Sequence, residues 1–78
     1  VSFMYRLNVD SQVVYKFYDA RGRLLQEVDL GEVAVSATEI EYLWDGRDSQ
    51  GRPLTSGIYW AVMEVENERS VRKFSIVR

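Results

Sequence analysis

The stretch IEYLWDGRDSQGRPLTSGIYWAVMEVE, residues 40–66, decides how this chain is read. Its first limb alternates, with Ile40, Tyr42 and Trp44 on one face and Glu39, Glu41 and Leu43 on the other. Its last limb does the same, with Tyr59, Ala61, Met63 and Val65 opposed to Ile58, Trp60, Val62, Glu64 and Glu66. A period of two is the mark of a strand with one buried face. Between the limbs, Asp, Arg, Ser and Gly are packed between Trp44 and Trp60. That composition suits an active-site or ion-binding loop, and equally an elaborate turn between two strands.

The rest of the chain repeats the period. FMYRL puts Phe3, Tyr5 and Leu7 on one face, VVYKFY puts Val13, Tyr15 and Phe17 together, and SVRKFSIVR closes with Phe74 and Ile76. These runs are rich in β-branched and aromatic residues and lie between turn signals. No segment carries an amphipathic helical pattern. Residues 31–37 are small and apolar and fit a short strand or a loop equally well. The expected fold is all-β, an immunoglobulin- or fibronectin type III-like antiparallel β-sandwich of six to seven strands. A small barrel is the competing arrangement.

At 78 residues the chain is one domain, residues 1–78. It has no cysteine and no histidine, so neither a disulfide nor a thiolate or imidazole metal site can staple it. Stability must come from the core, which 46% hydrophobic residues make feasible, or from a neighbouring domain or subunit. A first residue of Val rather than Met suggests a processed product or a fragment of a larger parent. A net charge of −2 lacks the basic footprint of a nucleic-acid binder, and no apolar run is long enough for a helical membrane span.

The same absences weigh on catalysis. Without His or Cys the commonest general base and activated nucleophiles are missing. A Ser–Lys pair would have to use Lys16 or Lys73, both in strand patterns. Asp45 and Asp48 sit in one turn with no opposing wall, unlike the paired acids of a glycosidase. We therefore expect no enzyme, no catalytic residue, no cofactor and no dedicated metal site. A looser calcium site on Asp45 and Asp48 is the alternative, although DGRDSQG lacks the alternating acidic spacing of a calcium loop and places Arg47 inside it.

DARGRLL at Asp19 and DSQGRPL at Asp48 share the pattern D-x-x-G-R-x-L. Asp first and Gly fourth is type I turn chemistry, with the Asp side chain bonding backbone N–H groups and Gly supplying positive φ. We read one turn used twice, with the Leu returning to the core. The expected turn scaffold is Asp19, Gly22, Trp44, Asp45, Gly46, Asp48, Gly51, Gly57 and Tyr59, with Trp44 as core anchor and Gly57 releasing the chain into the next strand. Trp60 and Val62 should then face outward. An exposed Trp60 can stack on carbohydrate or anchor a partner. Glu64, Glu66 and Glu68 should flank a hairpin near Asn67 opposite Arg69, Arg72 and Lys73, setting register and blunting a sheet edge.

VVYKFYDARGRLLQEV, then YLWDGRDSQGRPLTSGIYWAVMEV and a terminal RKFSIVR, resemble the immunoglobulin-like module of bacterial flagellar hook-capping proteins and related C-terminal modules of secreted bacterial proteins. The resemblance rests on Tyr18, Asp19, Gly22 and Arg23, then Trp44, Asp45, Gly46, Asp48, Gly51, Gly57 and Tyr59, and runs from about Val13 to Arg78. It implies a non-catalytic structural or accessory β-sandwich of an extracellular or cell-surface bacterial protein, serving as spacer, surface attachment, secretion-sorting or hook-assembly module. Its partners would be neighbouring domains or other subunits. Two alternatives stand beside it: a module binding carbohydrate through Trp60 or calcium through Asp45 and Asp48, and a subunit that self-assembles through a sheet edge.

Overall fold

Alternation at Val13, Tyr15 and Phe17 becomes the centre of the molecule, because these three side chains are buried to 0%, 3% and 0% exposure. The computed structural model describes residues 1–5, 7, 10–34, 40–66 and 68–78. Among them run six strands: β1 (Ser2–Tyr5), β2 (Ser11–Asp19), β3 (Leu24–Val33), β4 (Ile40–Leu43), β5 (Gly57–Val65) and β6 (Glu68–Ile76). All pairings are antiparallel. They form a four-stranded sheet of order β3-β2-β5-β6 and a two-stranded sheet of β1 and β4. The fold is thus the all-β sandwich expected, with strand count at the lower bound.

Two strands alone are marginal in water. The small sheet holds because it lays its apolar face on the large one. Phe3 packs on Tyr15, Phe17 and Phe74 with ring centroids 5.8, 5.7 and 5.4 Å apart. Tyr42 stacks on Tyr15 at 4.7 Å. Eight of the ten aromatic residues belong to this core or pack against it. In a chain without staples, these rings supply much of the buried apolar area.

The undecided residues 31–33 complete β3; residues 35–37 and Glu39 lie outside the described part, as does Asn67. Gly31, at φ +70°, sits opposite Val13 while Asp29 sits opposite Val14, so Leu30 is an extra residue. This is a bulge of the kind that needs a left-handed residue, and Asp29 Oδ1 accepts the Gly31 N–H at 2.8 Å. At the β5–β6 hairpin, Glu64 lies opposite Arg69, yet its carboxylate reaches across to Lys16 at 2.9 Å. Glu64 therefore pairs with β2, whose Lys16 shares the same sheet face, and no ion pair across the hairpin occurs among the described residues. β6 is a sheet edge, as expected for the charged last strand.

Candidate functional site

The loop between β4 and β5 was the principal candidate for chemistry. Its second half is a turn that also occurs between β2 and β3, almost atom for atom. At Asp19, Oδ1 accepts the N–H groups of Arg21 and Arg23 at 2.9 Å each, and the Gly22 N–H donates to the Asp19 carbonyl at 3.0 Å. At Asp48, Oδ1 accepts from Gln50 and Arg52 at 2.9 and 3.0 Å, and the Gly51 N–H donates to the Asp48 carbonyl at 3.0 Å. Each Asp also holds the Arg four residues on, Arg23 Nε at 3.4 Å and Arg52 Nε at 3.3 Å. Gly22 and Gly51 carry φ of +85° and +80°. Two backbone donors favour the ionised acid, so both carboxyls titrate below the usual aspartate range. The N–H of Arg23 is the largest cause at Asp19, and that of Arg52 at Asp48.

The first half of the loop is held just as completely. Asp45 Oδ1 accepts the Arg47 N–H at 3.1 Å, Gly46 takes φ +72°, and its carbonyl accepts the Leu54 N–H at 2.9 Å. Arg47 lies across from Pro53 in an antiparallel bridge, and its guanidinium donates to the Gly51 carbonyl at 2.9 Å. Trp44, 5% exposed, stacks flat on Phe17 at 3.8 Å with an interplanar angle of 4°. Phe74 meets both rings edge-on. At the exit, the Tyr59 hydroxyl donates back to the Thr55 carbonyl at 2.8 Å, the corner device of immunoglobulin-like sandwiches.

Gly57, at the start of β5, has no positive φ, and a methyl group there would meet the Tyr59 side chain at 3.7 Å, an ordinary contact. The chain enters β5 without a left-handed residue, because the bend has been completed by Gly46 and Gly51. The sequence reading missed what docks the loop. Gln26 Nε2 donates to the Asp48 carbonyl at 3.2 Å, and the Ser49 N–H to the Leu25 carbonyl at 3.0 Å. Arg78 Nε donates to the Leu54 carbonyl at 2.6 Å, and the Arg78 N–H to Ser56 Oγ at 2.8 Å. Only the position of an isolated Gln and Arg signals these bonds in the sequence.

Both Asp48 oxygens are occupied by N–H donors, and two guanidinium groups, Arg47 and Arg52, stand in the loop. No cluster of three or more His, Cys, Asp or Glu capable of holding a metal occurs among the described residues. Part of the outer face of the large sheet is open to solvent. There Trp60 is 36% exposed, with Tyr18 and Lys73 as its cross-strand neighbours and Lys73 Nζ 6.0 Å from its ring. Leu24 extends the row beside Tyr18. Val62 on the same face is 3% exposed and not outward in any useful sense. It lies between Lys16 and Val71, and the Lys16–Glu64 pair bridges the adjoining strands of that face.

These features define an immunoglobulin-like β-sandwich module whose distinctive loop is a doubled aspartate turn clamped to the core by a tryptophan. The chain belongs to the FlgD Ig-like domain family, whose model matches residues 1–69. That match begins ahead of Val13 and takes in β1, which the sequence resemblance left out. Among solved structures, the chain is similar to FlgD from Pseudomonas aeruginosa with TM-score 0.73 and 24% identity, covering 95% of this chain and 57% of that one. It is also similar to PorZ of Porphyromonas gingivalis, described as an essential bacterial surface component of the type IX secretion system. There the TM-score is 0.58 and identity 25%, over 85% of this chain and 8% of that one. The chain therefore spans little more than half of the first protein and under a tenth of the second. No curated protein matches it.

Proposed function

We propose that this chain is a non-catalytic structural module of an extracellular or cell-surface bacterial protein, joined to neighbouring domains or subunits and serving as spacer, attachment, sorting or hook-assembly element. The observation that carries this reading is the internal use of the signature loop. Its carboxylates bond its own backbone, its arginines close its own turns, and its tryptophan fills the core. A loop so spent has no side chain left to turn over a substrate, and what it does provide is a rigid corner. Membership of the FlgD Ig-like domain family and similarity to part of a bacterial surface component of a secretion system support the extracellular setting.

The test is a ligand screen on the folded chain. Melting curves with and without calcium, and a glycan panel, should both be flat. A saturable rise in melting temperature with calcium, or glycan binding abolished by Trp60→Ala, overturns the structural reading in favour of a ligand-binding module.

A further inference from the structure

Among the described residues the smaller sheet has two strands and the larger four. By register, Ser70 lies opposite Met63 and Arg72 opposite Ala61, which places both on the inner face of β6. Both are exposed, while Phe74 and Ile76 further along that face are half-buried and buried. Beside them a groove of about 200 Å³ opens between the sheets, lined by Phe3, Met4 and Tyr5 of β1 and by Met63, Ser70 and Arg72 of the large sheet. Among the described residues none of β4 lines it, so it lies along the edge of β1 that β4 does not pair.

Among the described residues that edge pairs with no strand. Val1 and Trp44 exchange both N–H···O bonds, at 3.0 and 2.8 Å. Antiparallel ladders alternate, so Phe3 and Tyr5 also bond toward β4, whereas the N–H and C=O of Ser2 and Met4 point the other way, over the groove. Arg72, at the mouth, forms no ion pair among the described residues.

We infer that the groove beside β1 is the seat of a strand supplied by a partner polypeptide: an extended segment, antiparallel to β1, with apolar side chains alternating inward and a carboxylate facing Arg72. An unpaired strand edge selects an extended backbone. The Phe3 and Met63 walls select apolar inward residues, and the unpaired guanidinium selects an acid. The inference goes beyond the structural role proposed above and stands or falls separately from the glycan and calcium tests.

The probe is the synthetic peptide Thr-Val-Thr-Glu-Thr-Val-Thr, titrated into the chain and followed by amide NMR and hydrogen exchange. Saturable shifts and new exchange protection at Ser2 and Met4 are expected. Arg72→Glu, an exposed change checked by its melting curve, should weaken binding by roughly fivefold, the upper range for an exposed ion pair. Residues opposite Ser2 and Met4 share their outward face, so N-methylation of the central Thr residues should abolish binding while N-methylation of a Val is tolerated. No saturation at millimolar peptide, shifts centred on Trp60, or indifference to Thr N-methylation each overturns the inference. So does the appearance of the same shifts with rising chain concentration alone, which makes a second copy the occupant. Binding only when the peptide is tethered to Val1 overturns it in favour of a segment of the same polypeptide.

Discussion

Trp44 is the residue on which the sandwich turns. It leaves β4, covers Phe17 face to face and is boxed by Phe74. Truncating it opens a large cavity that flanking rings, each held by several neighbours, cannot close. Trp44→Ala should cost about 3–5 kcal/mol, read as a fall in the urea midpoint at unchanged slope. An equally stable variant would remove Trp44 from the centre of the core. Asp19 and Asp48 act at the same scale through charge. Their carboxyls titrate below the ordinary value of about 3.9. A depressed folded value means the contribution is complete above that range and is lost as pH falls through the lowered folded value. Asp48→Asn keeps an acceptor without the charge. The stability gap between the native chain and this variant should be widest near neutral pH and shrink below pH of about 4. A gap that stays constant in urea melts across this range contradicts the assignment.

At the scale of elements, the two D-x-x-G-R turns show how a short pattern becomes a shape. Gly51 occupies φ +80° in open space, so Gly51→Ala meets no clash but pays the left-handed penalty of about 1–2 kcal/mol. Gly57→Ala has no such penalty and should alter the denaturation midpoint little, since the added methyl group only touches the Tyr59 ring. Equal losses at both positions would show that crowding, not φ, governs the loop. The corner at the start of β5 is tested by Tyr59→Phe. It removes the bond to the Thr55 carbonyl while keeping the ring, and should cost about 1 kcal/mol in the same measurement.

The whole molecule has one core shared by two sheets of unequal size and, with no cysteine, no disulfide. β2 pairs on both sides and supplies Val13, Tyr15 and Phe17 to the centre, so neither sheet keeps its apolar face covered without the other. Unfolding should be a single transition, with tryptophan fluorescence and far-ultraviolet circular dichroism giving coincident midpoints. Separate midpoints would mean that β1 and β4 detach before the large sheet opens.

What could be read from residues alone was what is local. Period-two alternation marked the strands and their inner faces because one face of each is buried. Asp and Gly at fixed spacing marked the turns because the carboxylate and the positive φ both act within four residues. Trp44 and Tyr59 were legible through the alternation of their strands and the family resemblance. The sequence by itself therefore determined a β-sandwich built on a repeated turn, and the absence of His and Cys ruled out a disulfide and thiolate or imidazole ligands. Tertiary structure decided which strands share a sheet, that Gln26 and Arg78 dock the signature loop, that Val62 is covered on the outer face, and that a groove opens between β1 and Arg72. Alternation states that a face is buried but not against what. Register across strands far apart in the chain is settled only when the two sheets pack.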